Sequence, residues 1–120
     1  MKKQENTQFQ HIINQLLTLY FSGIYITNKD MLNLAQELGF DFPLKSREIM
    51  LKNLFLEAYN FQKIPKLCDS LIYLIDQRVQ EYKKLSFEYP KINEVSSSWI
   101  FKANNIKRLL VNEKRGNIYE

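Results

Sequence analysis

The chain has 120 residues, of which 45% are hydrophobic and 25% charged, with a formal net charge of +4. That composition belongs to one ordinary globular domain and excludes wholesale disorder. A domain of this size buries roughly two-thirds of its unfolded surface, so it needs neither a metal nor a disulfide to hold a core. One His, one Cys and three Gly leave little material for a catalytic cluster or a glycine-rich phosphate cradle. The lone Cys68 excludes an intrachain disulfide and fits a reducing compartment. Met1-Lys2-Lys3 opens as a signal peptide does, but residues 4–8 are polar and no apolar run follows. No stretch is long and apolar enough to span a bilayer. The expectation is a cytoplasmic protein.

Helical periodicity runs almost end to end. Over residues 7–22, Phe9, Ile12, Ile13, Leu16, Leu17, Tyr20 and Phe21 recur on one helical face, and Gly23 can end the helix. A second helix is predicted over 28–38. Thr27 caps it, Asp30 completes a capping box and Ile26 staples onto Met31. Met31, Leu34, Ala35 and Leu38 are its core face, with Gly39 in the left-handed position after it and apolar Phe40 following. Phe40 to Leu44 form an apolar connector, in which Pro43 disfavours helix at Phe42.

The third helix is predicted over 45–59, with a wide apolar set: Ile49, Met50, Leu51, Leu54, Phe55 and Ala58. Pro65 suits the first turn of a long fourth helix over 65–89, whose stripe is Leu67, Leu71, Leu74, Ile75, Val79, Tyr82 and Leu85. Pro90 stops it. Asn93 then caps a fifth helix over 93–114 carrying Ile92, Val95, Trp99, Ala103, Ile106 and Leu110, and Gly116 lies beyond its end. Two long stripes joined at Pro90 read as an antiparallel helical hairpin. The predicted fold is all-α: about five helices in a compact bundle, residues 1–120 forming a single domain without repeats, linkers or strands.

Several residue groups are candidates for function. Leu34-Ala35-Gln36-Glu37-Leu38-Gly39-Phe40 resembles the first half of a helix-turn-helix DNA-binding motif, which would place Ser46, Arg47 and Glu48 in a reading helix. The match spans about seven residues. Pro43 then falls where that helix should already run, and Lys45 and Glu48 take places that are normally apolar. A glycine-capped helix end explains the same residues more simply. The C-terminal helix is basic: Lys107 and Lys114 are one heptad apart, as are Arg108 and Arg115, with Asn104, Asn105 and Asn112 among them. Such a stripe can track phosphates, although cations are also favoured in the last turns of a helix. Lysine (13) far outnumbers arginine (4), and abundant Lys, Asn and Ile have A/T-rich codons, so the genome of an A/T-rich bacterium accounts for part of the basicity.

Tyr73, Phe87 and Phe101 fall off the main stripes of their helices, and Tyr25, Phe42 and Phe61 sit in connectors. Aromatics left exposed together make a partner or self-association surface. His11 and Cys68 read as an ordinary surface histidine and a buried thiol. The pairs Asp69/Asp76 and Glu81/Glu88 share faces at heptad spacing but lack the Glu-x-x-His that completes a carboxylate metal site. Ser96-Ser97-Ser98 suits the first turn of the fifth helix. The sequence therefore predicts a non-enzymatic protein-binding module, an adaptor, chaperone-like or regulatory factor, with self-association into a dimer among its expected modes. Phe40, Phe42, Tyr73, Phe87 and Phe101 are its candidate contacts, with no cofactor, metal, membrane or small-molecule substrate. The alternative is a nucleic-acid-binding regulator using Lys107, Arg108, Lys114 and Arg115.

Overall fold

The chain folds into five α-helices. The computed structural model describes residues 2–43 and 45–116. They form α1 (Lys2–Thr18), α2 (Asn28–Glu37), α3 (Arg47–Asn60), α4 (Ile64–Glu88) and α5 (Asn93–Gly116), with 3-10 turns at Leu19–Phe21 and Pro90–Ile92. No strand occurs among the described residues. The expected all-α fold of about five helices is the one observed. Met1, Leu44, residues 117–120 and the side chains of residues 2–8 and of Phe21 lie outside what is described.

The second helix begins on the predicted capping box. The Asp30 backbone N–H donates to Thr27 Oγ1 at 3.0 Å, and the Thr27 N–H donates to Asp30 Oδ2 at 3.0 Å. It ends on a Schellman motif: Gly39 N–H donates to the Gln36 carbonyl and Phe40 N–H to that of Ala35, with Gly39 at φ +84°. The third helix ends the same way without a glycine. Gln62 N–H reaches the Tyr59 carbonyl and Lys63 N–H that of Ala58, which places Gln62 at φ +57°. Only two helix boundaries move by more than a residue from the sequence reading at their starts: α1 begins earlier, at Lys2, and α3 later, at Arg47, behind its Ser46 cap. α1 also closes early, its last turn tightening into the 3-10 turn, while α5 runs on to include Gly116 and takes Asn93, already helical at φ −58°, as its first residue rather than its cap.

The core draws mainly on the predicted faces, joined by Leu19, Ile24 and Ile64, which belonged to none of them. Phe9, Ile13, Met31, Met50, Leu54, Phe55, Leu67, Leu71, Ile106 and Leu110 are all buried. Phe9 packs on Phe55 at 5.2 Å with the rings tilted by 31°, and meets Tyr59 edge-on at 5.8 Å, which locks α1 onto α3. α3 also packs on α2 and α4, and α1 on α5. α4 and α5 pack along their length as the predicted antiparallel hairpin. Ser86 and Ser96 share a hydroxyl hydrogen bond of 2.8 Å within that seam, and Ser96 is wholly buried. Tyr82 meets Trp99 edge-to-face at 5.4 Å.

The hairpin runs past the rest of the bundle, giving extents of 49 × 29 × 23 Å. Leu85 and Val95, which continue the apolar stripes in sequence, are exposed there, because among the described residues the turn at Pro90–Ile92 packs chiefly on α4 and α5. Ile49 and Tyr20, also predicted on apolar faces, are exposed as well. The Arg47 guanidinium lies over the Tyr20 ring at 3.8 Å.

Candidate functional site

Two surface features combine exposed aromatic rings with a defined scaffold, and they lie at opposite ends of α4. At about 1.5 Å per residue its 25 residues separate them by roughly 37 Å.

At the C-terminal end is the tip of the hairpin. Phe87 is 89% exposed there, with Tyr89, Val95 and Leu85 also open to solvent. Pro90 ends α4, the Tyr89 N–H closes the helix on the Leu85 carbonyl at 2.8 Å, and the 3-10 turn feeds Asn93 directly into α5. The tip is thus held by regular backbone and leaves these apolar side chains exposed.

At the N-terminal end two helix termini face each other. The Schellman turns after α2 and α3 bring Phe40 and Phe42 against Phe61, with ring centroids 5.8 Å apart for Phe40–Phe42 and 6.0 Å for Phe40–Phe61. Lys63 ties the turns together. Its Nζ donates to the Leu38 carbonyl at 2.6 Å and sits 5.4 Å over the Phe40 ring. Between them opens a cleft of about 620 Å³, lined also by Asp41, Asn53 and Glu57.

The five predicted contact residues do not form one surface. Tyr73 (63% exposed) and Phe101 (67%) are open but lie away from the cleft. Tyr73 is fourteen residues, about 21 Å, before Phe87 along the same helix. It accepts a hydrogen bond from Gln77 at 2.9 Å and borders a smaller cleft with Asp30, Glu37 and Asp69. Phe40 is buried and Phe42 half-buried, so in that pair the accessible ring is Phe42; the more exposed member of the cluster is Phe61, at 61%. The sequence singled out Phe61 only as a connector aromatic. Its link to Phe40 depends on the left-handed Gln62, which nothing in the residue types announces.

The basic stripe divides. Lys107 Nζ pairs with Asp76 at 3.0 Å and Lys114 Nζ with Asp69 at 2.8 Å, both across the α4–α5 seam. The two heptad-spaced carboxylates of α4 are therefore partners for the two heptad-spaced lysines of α5. The hydrogen bond from Lys107 holds the Asp76 carboxyl below its ordinary pKa, with the charge of the lysine adding to the effect. Arg108 and Arg115 remain exposed and, among the described residues, outside any ion pair. They line a groove of about 630 Å³ with Asn104, Asn112, Ile72, Val111 and Lys107.

The partial helix-turn-helix is not built. Residues 38–46 separate α2 from α3, too long for the three- or four-residue turn of that motif. Ser46 caps α3, and Arg47 is spent on Tyr20. Cys68 is buried, and its thiol pKa is pushed up to about 12, first by burial and then by Glu113 and Asp69. His11 is exposed beside Leu109 and Glu113. Among the described residues no group of three or more His, Cys, Asp or Glu side chains is placed to hold a metal, and no helix is long and apolar enough to cross a membrane.

Comparison with known protein families, with curated proteins and with solved structures yields no match for this chain.

Proposed function

We propose that this chain is a cytoplasmic, non-enzymatic protein-binding module, an adaptor or regulatory factor, that docks through the tip of its α4–α5 hairpin. The observation that carries this reading is Phe87, 89% exposed beside Tyr89, Val95 and Leu85 on a turn that packs, among the described residues, chiefly on α4 and α5 themselves. Interface hot spots are large side chains that fill a partner's pocket, and burying one Phe side chain contributes about 1.5–3 kcal/mol. A rigid helical tip presents that ring with little ordering entropy left to lose.

The test is site-specific photo-crosslinking in the native cell, with benzoylphenylalanine placed at position 87, 95 or 77. Positions 87 and 95 should capture the same protein, and Gln77, on the helix side, should not. Phe87→Ser should abolish the adduct formed from position 95 while leaving the melting temperature unchanged. Adducts that are absent, or equally abundant from position 77, would remove the tip as the docking element.

A second reading has its own observation, the groove beside Arg108 and Arg115, whose guanidinium groups are free to meet phosphates. Nucleic-acid binding there would weaken steeply with salt and would be lost in the Arg108→Glu/Arg115→Glu double variant. The commitment of Lys107 and Lys114 to Asp76 and Asp69 leaves it half of the predicted cations, which is why the tip is preferred.

A further inference from the structure

We infer that the Phe40–Phe42–Phe61 cleft is a second binding site, specific for an arginine side chain presented by a partner polypeptide. It is independent of the hairpin tip, so the two can fail separately. Three features specify the ligand.

The first is the aromatic wall. Phe42 and Phe61 bring accessible ring surface to the cleft, while Phe40 is buried behind them. Ring faces carry negative potential and attract cations. The cluster already holds one: Lys63 Nζ rests over Phe40.

The second is charge. Asp41 and Glu57 line the same cleft, and among the described residues neither carboxylate takes part in an ion pair, with Lys63 or with any other cation. Lys63 is directed elsewhere, its ammonium hydrogen-bonded to the Leu38 carbonyl. The cleft thus sets two acids, Asp41 and Glu57, against the single cation Lys63, and is net acidic beside its aromatic faces in a chain that is basic as a whole.

The third is the number of acceptors. Two carboxylates and the Asn53 side-chain carbonyl offer more acceptor sites than an ammonium with three donors can use against one wall. A quaternary ammonium would satisfy none of them. The planar guanidinium has five donors and stacks flat on an aromatic ring while its edge meets a carboxylate bidentately. A volume of about 620 Å³ accommodates that side chain together with neighbouring backbone.

The experiment is amide chemical-shift titration of the full chain with N-acetyl-arginine amide, alongside N-acetyl-lysine amide, tetramethylammonium and N-acetyl-glutamate amide. The arginine derivative should give saturable shifts confined to Asp41, Phe42, Asn53, Glu57 and Phe61, with a dissociation constant in the millimolar range expected of a single side chain. Phe61→Ala and Glu57→Gln should each weaken it about tenfold. Phe61 is exposed and Glu57→Gln is isosteric, so both variants keep the fold; Asp41→Asn, at an exposed position, serves as a third. Equal binding of tetramethylammonium would overturn the guanidinium assignment. Saturable binding of the glutamate derivative would make this an anion site organised by Lys63. Shifts that do not saturate, or that survive Phe61→Ala and Glu57→Gln, would show that no such site exists.

Discussion

Gly23 is the position where one added methyl group should be felt most sharply. It lies in the segment between α1 and α2, where the backbone passes close to the hairpin. A Cβ built there would overlap the Tyr82 hydroxyl and come within 2.6 Å of Tyr82 Cζ and 2.7 Å of Trp99 Cζ3. Neither ring can yield alone, because the two are packed edge-to-face at 5.4 Å with an interplanar angle of 86°. Overpacking of this kind costs about 1–3 kcal/mol. The substitution also stiffens the unfolded chain, which offsets roughly 0.4–1 kcal/mol. Gly23→Ala should therefore destabilise by about 1–2 kcal/mol. For 120 residues at roughly 2.1 cal/mol/K each, the entropy of unfolding is about 0.25 kcal/mol/K, so the melting temperature should fall by about 4–8 °C. Thermal and urea unfolding followed by circular dichroism measure the loss, and near-ultraviolet signals from Trp99 report the displacement. In a Tyr82→Ala background the same change should cost at least 1 kcal/mol less, since the nearest clash is gone. A Gly23→Ala protein as stable as the parent, or a coupling to Tyr82 below about 0.3 kcal/mol, would refute the packing argument.

Gln62→Gly should raise the urea midpoint, by up to about 1 kcal/mol of stability, because Gln62 holds a left-handed φ of +57° that glycine adopts without steric cost. Cys68 should resist iodoacetamide at pH 8 in the native protein and react on unfolding, since a thiol whose pKa is pushed up to about 12 stays protonated and buried. Asp76 has a lowered folded pKa, so its contribution is present above its unfolded value and is lost as pH falls through the folded one. Asp76→Asn should thus destabilise by no more than about 1 kcal/mol at pH 7, as befits a half-exposed pair. The difference from the parent should close near pH 2, which urea titrations at the two pH values will show.

What the residues disclosed and what they withheld follow one physical division. Local signals were legible: the Thr27–Asp30 capping box, the Gly39 turn and the Pro90 stop each act within about five residues, and each appears in place. The α3 terminus was not legible, because Gln62 reaches the left-handed region through the Schellman bonds of the fold rather than through its own preference. The limit is sharpest in the charge pattern. Two carboxylates seven residues apart on α4 resembled half a metal site, and two lysines seven apart on α5 resembled half a phosphate track. In antiparallel register these become a single feature, each lysine meeting one carboxylate. Two heptad repeats of opposite sign on consecutive helices are thus a sign of register before they are a sign of a ligand. Among the groups that such pairing does not consume are Arg108 and Arg115 on α5, Phe87 at the tip, and Asp41, Glu57 and Phe61 around the cleft. These groups keep charge or apolar surface open to solvent, which a partner can use.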